Sequence, residues 1–280
     1  MDANKLQAEY WASPAGLKWL EHEHALDTAM AGMLDMMLDA ADIRSAARII
    51  DIGCGTGAST LEAARRVPDG MALGVDISEP LLARAARRAK EAGIQNASFL
   101  LADAQSYDFS RQPFDLLVSR LGMSFFSDTV AAFRNLSNAL TDRGKMVFVC
   151  WASVAKNPWF SVPASAAEER MGTLPSRNSA APGPTAFQDC DRITELIAQA
   201  GLYKIEARPV DIVLTPPDGV VGAARAASKV GPAVRIVKAH NGTEADELAI
   251  ENAVRVAFEN FNEGGLVRVP AVVNLFACSR

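Results

Sequence analysis

Cysteine is scarce and scattered. Cys54, Cys150, Cys190 and Cys278 are the only four among 280 residues, and no two form a C-x-x-C pair. A zinc knuckle, a redox dithiol and a disulfide framework are therefore not expected. Histidine is scarcer still: His22, His24 and His240 are the full set, and His22 and His24, two apart, fall on different faces of a helix. No metal site is expected. Long apolar runs are missing too, and none approaches the roughly 20 residues of a membrane helix. The stretch from Met1 to Tyr10 is polar and mixed in charge, without a signal-peptide core. The reading is a soluble, cytoplasmic protein without a membrane partner. Basic charge is not in excess either: 28 Lys+Arg stand against 33 Asp+Glu, a net charge of −5. Nothing in that balance draws the chain to a phosphate backbone, so nucleic acid is not an expected partner. What is present, 49% hydrophobic and 22% charged residues, suits a globular core and excludes a disordered or collagen-like chain.

The apolar pattern changes period along the chain. Leu17, Leu20, Leu26, Met30, Met33, Leu34, Met37 and Leu38 recur at helical intervals and predict a helix over residues 17–40. From there short strands alternate with helices. Strands are predicted at 47–52, 71–77, 98–102, 114–119 and 145–151, with helices at 58–67, 81–92 and 128–140; Ser78 is read as an N-cap. This alternation predicts parallel βαβ units and a doubly wound α/β sandwich. Residues 157–185 carry five prolines and read as an irregular insertion with one short helix over 164–170. A helix at 191–200, a strand at 204–214, helical stretches at 219–230 and 244–260, and a last strand at 271–278 complete the pattern.

The informative segment is Asp51-Ile52-Gly53-Cys54-Gly55-Thr56-Gly57-Ala58, between a strand and a helix. Alternate glycines let the backbone turn sharply and leave room for a ligand against the main chain. Cys54 is read as a small residue beside that close approach, not as a nucleophile. Gly53-x-Gly55-x-x-Ala58 also satisfies a loose dinucleotide pattern, so an NAD(P)-dependent oxidoreductase is weighed. Charge argues against it. Asp51 stands two residues before the first glycine, where a pyrophosphate would be repelled and a cationic amino-acid group attracted. Asp76 ends the second strand, suited to ribose hydroxyls, and Asp103-Ala104 ends the third, suited to an adenine amine. No Arg or Lys lies between Asp51 and Glu62. Amine, ribose and adenine without phosphate describe S-adenosylmethionine.

Ile50-Asp51-Ile52-Gly53-Cys54-Gly55-Thr56-Gly57, Gly74-Val75-Asp76-Ile77-Ser78, Ala102-Asp103-Ala104 and Phe114-Asp115-Leu116-Leu117 together resemble a class I S-adenosylmethionine-dependent methyltransferase. The branch most similar is the type 11, ubiquinone- and menaquinone-pathway-like one. The flanks, Tyr10-Trp11 with Gly16-x-x-Trp19 and Cys150-Trp151 with Asn157-Pro158-Trp159, resemble bacterial small-molecule members. The resemblance implies a seven-stranded Rossmann-like sheet with its last strand antiparallel. It also implies that Asp51 and the loop of Gly53, Cys54 and Gly55 hold the methionyl end, and Asp76 the ribose, with Ile77 against adenine. By the same resemblance Asp103 and Ala104 face the adenine edge, and Ser119 or Arg120 lines the floor after the fourth strand.

Methyl transfer to an O, N or activated C of a small organic acceptor follows as the expected reaction, with S-adenosylhomocysteine as product. A non-catalytic S-adenosylmethionine-binding module is the other alternative. Positioning carries most of such a reaction, and a base is needed only for an acceptor that must lose a proton. His24, three residues before Asp27 on one helix face, is the candidate base. Trp11, Trp19, Trp151, Trp159 and Phe125 are candidates to wall the acceptor pocket or contact the sulfonium. The basic run Arg84, Arg87, Arg88 and Lys90 is read as a solvated helix face. The expected organisation is an N-terminal helical lid over 1–45, a cofactor-binding core over 46–151, a lid insertion over 152–190, and the remaining sheet over 191–280 with a helical insertion at 215–265. The sequence leaves open whether the chain forms a homodimer.

Overall fold

A computed structural model describes residues 4–111, 113–175 and 178–280; the first three residues of the expected N-terminal lid lie outside that range. Seven strands form one sheet: β1 (Arg48–Ile52), β2 (Met71–Asp76), β3 (Ala97–Leu101), β4 (Phe114–Arg120), β5 (Leu140–Trp151), β6 (Tyr203–Leu214) and β7 (Val269–Ser279). Their order is β3-β2-β1-β4-β5-β7-β6. The first five run parallel, and β7 pairs antiparallel with both β5 and β6. This is the doubly wound, Rossmann-like sheet expected, with its last strand reversed. The strand order turns back between β1 and β4, which opens a crevice beyond their carboxyl ends. β1 is buried along four of its five residues, as a central parallel strand covered on both faces must be.

Helices α1 (Lys5–Ala12), α2 (Pro14–Glu21), α3 (Glu23–Ala29) and α4 (Ala31–Ala40) precede the sheet. The expected single helix over 17–40 is thus broken at His22 and Met30. The breaks turn successive segments onto different partners: α2 meets α6 (Glu79–Glu91), whereas α4 packs on β5 and β6. α1 escaped prediction because it carries no apolar stripe and buries no residue. The corner from α1 to α2 needs Gly16, since a Cβ there would sit 2.6 Å from the Trp11 Cα.

One face of the sheet is covered by α4, α5 (Ala58–Arg66) and a layer of α8 (Pro158–Met171), α10 (Gly219–Ser228), α11 (Pro232–Ala239) and α12 (Glu244–Phe258). The opposite face carries α7 (Thr129–Asn138) and α9 (Cys190–Gln199) over a phenylalanine cluster in which Phe148 stacks on Phe276 at 4.9 Å. The expected irregular insertion is corrected at α8, a helix of 14 residues. Pro158 lies in its first turn, where no N–H is needed. Buried Trp159, Phe160, Pro163 and Ala167 form a helical stripe that outweighs the interior proline. Two buried amides stitch the insertion to β7. Asn157 Nδ2 donates to the carbonyls of Ser153 and Val272 while its Oδ1 accepts from Val272 N–H. Asn274 Nδ2 donates to the carbonyls of Phe187 and Gln188. Among the described residues no helix is long and apolar enough to cross a membrane.

Candidate active site

The site grows from the turn after β1. Gly53, Gly55 and Gly57 have φ of 67, 55 and 87°, the left-handed region in which a side chain is strained. Gly53 also lies against the turn after β4, where a Cβ on it would meet the Gly122 Cα at 2.7 Å. At Gly55 the direction of a Cβ is open, with nothing within 4 Å, so the backbone there faces free space. Asp51 sits beneath the loop with no exposed surface. Ser59 and Thr60, in the first turn of α5, each donate a hydroxyl to its Oδ2 at 2.6 Å. Its Oδ1 is buried and has no partner among the described residues. Burial pushes the Asp51 carboxyl up to about 6 against the pull of those two hydroxyls and of Arg120.

The next two carboxylates are engaged differently. Asp76 Oδ2 accepts from Gly55 N–H at 2.8 Å and Oδ1 from Ser78 N–H at 2.9 Å, so the carboxylate props the glycine loop. Each oxygen keeps a lone pair for a further donor. Burial raises the pKa of this group, opposed by those N–H bonds. Asp103 accepts from Gln105 N–H and, on both oxygens at 2.9 Å, from Nδ2 of Asn4. Asn4 is only 3% exposed and its Oδ1 accepts from Ser127 N–H. The chain thus places an NH2 group of its own on the carboxylate read as an amine acceptor.

Ions clamp the N-terminal helices to this edge. Asp27 lies 2.9 Å from Nη2 of Arg88 and 2.9 Å from Nη2 of Arg120. Glu23 holds Arg84 at 2.9 Å. Arg84 and Arg88 are therefore not the solvated face expected of them. Arg88 Nη1 further donates to the carbonyl and hydroxyl oxygens of Thr56, both at 3.0 Å, which brings a cation to the glycine loop from a distant part of the sequence. The absence of nearby basic residues in sequence is thus corrected in space, although Glu23 and Asp27 balance the arginines.

A family model described as "Methyltransferase domain" matches residues 43–200. The chain belongs to the methyltransferase-domain family. It is 31% identical to Aklanonic acid methyltransferase DauC of Streptomyces sp. (strain C5) over 113 residues, 40% of this chain and 51% of that protein. It is 28% identical to Nocamycin O-methyltransferase of Saccharothrix syringae over 191 residues, 65% of this chain and 68% of that protein. The chain thus spans from half to two-thirds of the length of these relatives. Its fold is shared with a phosphoethanolamine N-methyltransferase 2 of Haemonchus contortus, solved with phosphomonomethylethanolamine and S-adenosylhomocysteine. That likeness has a TM-score of 0.53 at 16% identity and covers 89% of this chain and 52% of that one.

In a methyltransferase the groups at the crevice can be tested against S-adenosylmethionine, and they fit. A buried carboxylate oxygen lacks a partner, a glycine faces open space, and two more carboxylates follow on successive strands. The dinucleotide alternative finds no support in the family match. Other expectations fare unevenly. Cys54 is buried and its thiol is pushed well above its ordinary value by that burial, which disfavours a thiolate. Ile77 is half-buried beside Asp76. Ala104 is buried in the core, with its carbonyl accepting from Asn135 Nδ2. Ser119 has its hydroxyl engaged within the chain. Fully buried, it donates to the Ile52 carbonyl at 2.6 Å and accepts from Gly122 N–H, so it braces the two loops and has no proton to spare. The Ser78 hydroxyl does not cap α6 but donates to the Trp11 carbonyl at 3.1 Å.

The aromatics divide into two groups. Trp11 meets Phe125 at 5.5 Å and Trp19 at 6.4 Å, edge to face, and all three are partly exposed. Trp151 and Trp159 are buried, packed edge-on against Phe160 and beside Phe258, respectively. This second pair packs the α8 and α12 layer onto the sheet. His24 is exposed, and the carboxylate expected to orient it, Asp27, is turned to the two arginines. Sequence reasoning missed Asn4, Asp27 in its ionic role, Ser59 and Thr60. The last two had a signal, a hydroxyl pair in the first turn after a glycine loop. Asn4 had none.

Proposed function

We propose that this chain catalyses methyl transfer from S-adenosylmethionine to a small organic acceptor. The observation that carries the reading is the buried, unpartnered Oδ1 of Asp51 at the base of an open glycine loop. An ionised oxygen without a donor is costly, and a cationic amine would relieve it. When bound, the sulfonium supplies its own activated methyl group and leaves as a neutral thioether. The chain's residues bind and orient. Asp51 faces the methionyl end, Asp76 offers its remaining lone pairs to ribose hydroxyls, and Asp103 offers its carboxylate to the adenine amine. Trp11, Trp19 and Phe125 form an apolar roof that excludes water and suits an acceptor with an apolar or aromatic body. The net charge of −5 favours such a molecule over nucleic acid.

Equilibrium titration with S-adenosylhomocysteine and with NAD tests the cofactor, and tight binding of NAD alone would overturn the reading. Incubating the purified protein with cell extract and methyl-labelled donor, followed by mass spectrometry, identifies the acceptor. Cofactor binding with no labelled metabolite in a broad screen would favour a binding module instead.

A further inference from the structure

Asn4 stands at the N-cap position of α1, where asparagine is among the best residues, yet its side chain makes no capping bond. It reaches instead to the loops that follow β3 and β4. Nδ2 lies 2.9 Å from both oxygens of Asp103 and 3.3 Å from Gln105 Oε1, and Oδ1 accepts from Ser127 N–H at 3.2 Å. α1 itself buries none of its residues from Lys5 to Ala12. Its far end is held by the Ser78 hydroxyl on the Trp11 carbonyl, after β2, and by the edge contact of Trp11 with Phe125. A helix with no buried residue belongs to the least stable part of a fold. α1 is thus a strap fastened at its two ends, and one fastening is the carboxylate read as acceptor for the adenine amine.

The chemistry of that fastening copies the ligand. A carboxamide and the amino edge of adenine present the same pair, a planar NH2 donor beside an acceptor. Asn4 sets this pair against Asp103 and the Ser127 N–H. We propose that the Asn4 end of α1 is an autoinhibitory latch: its amide holds the place of the adenine amino edge until the cofactor expels it, while the Trp11 end stays fastened. This rests on the reading of the site as one for S-adenosylmethionine. Gln105 keeps the two loops joined when Asn4 leaves, because its Oε1 also accepts from the Ser127 hydroxyl and from Asp128 N–H, both at 3.1 Å.

The test is amide hydrogen exchange of the full chain with and without saturating S-adenosylhomocysteine, after a titration has established binding. Residues 5–10 are expected to exchange several-fold faster in the complex, while the glycine loop over residues 53–57 exchanges more slowly. Slower or unchanged exchange of residues 5–10 in the complex overturns the proposal and needs no variant; slower exchange is the mark of a lid that closes on the ligand. Asn4→Ala is expected to show the faster exchange without ligand. It should also bind S-adenosylhomocysteine about two- to fivefold more tightly, through association alone, since a latched state withholds the site in proportion to its population. Weaker binding by a folded Asn4→Ala, or a gain that lies in dissociation, overturns the proposal as well. Failure of the wild type to bind S-adenosylhomocysteine in the titration overturns the underlying reading and the proposal together, a result distinct from the others.

Discussion

The two ends of the crevice are built on opposite terms. At the end formed by β2 and β3, the chain satisfies its own carboxylates: Asp76 holds Gly55 and Ser78 N–H groups, and Asp103 holds Asn4 and Gln105. At the end formed by β1 and β4, one oxygen of Asp51 and one nitrogen of Arg120 stay buried without a hydrogen-bond partner among the described residues. A ligand gains most where it relieves an unsatisfied buried group and least where it must share one already engaged. On the function proposed above, the first end would supply shape and selectivity, and the second affinity.

Five substitutions and a change of pH probe that contrast. The largest effect is expected where the two ends share a support. Gly53→Ala places a Cβ 2.7 Å from the Gly122 Cα at a φ of 67°, and strain with overpacking should cost about 2–5 kcal/mol, read as a lower urea midpoint. Next, Asp51→Ala should weaken S-adenosylhomocysteine binding by about 1–3 kcal/mol in a calorimetric titration, and Asp103→Ala by less. Equal losses at the two positions would dissolve the contrast.

Acid should act mainly on the Asp51 end. Its carboxyl titrates near 6 in the folded chain against 3.8 in the reference state, so between those values the folded state holds the extra proton. The contribution of Asp51 to stability thus falls as pH rises from 3.8 to 6 and is level above. A cationic ligand needs the ionised form, so affinity should be level above about 6 and drop about tenfold for each pH unit below it. Asp51→Asn should flatten that profile. The smallest effect is expected for Asn4→Ala, which frees the Asp103 carboxylate: association of S-adenosylhomocysteine in stopped flow should quicken about two- to fivefold, within the roughly 1.5–3 kcal/mol of a hydrogen bond to a charged group.

Much of this architecture was legible because it is local. The alternation of short apolar runs with helices located β1 to β5, and the glycine spacing with three strand-terminal aspartates located the crevice. The parts that escaped notice depend on distance in sequence. Arg88 reaches Thr56 and Asp27 only because α6 packs beside the glycine loop, and Asn4 reaches Asp103 across 99 residues. Prolines misled at α8 because Pro158 stands in the first turn, where no N–H is needed, and a buried apolar stripe outweighs the interior Pro163. Ser119 and Arg120 are read together as floor residues, and they stand side by side at the end of β4. Strand alternation points Ser119 away from Arg120, onto the opposite face.

The division of the tryptophans gives the molecule two separate optical reporters. Trp151 and Trp159 are sealed in the interior and should emit at short wavelength with little change until the chain unfolds. Trp11 and Trp19 are partly exposed on the N-terminal helices, where the Trp11 carbonyl accepts from the Ser78 hydroxyl. Fluorescence quenching by iodide or acrylamide would then distinguish closure of the N-terminal helices from loss of the fold in a single unlabelled sample.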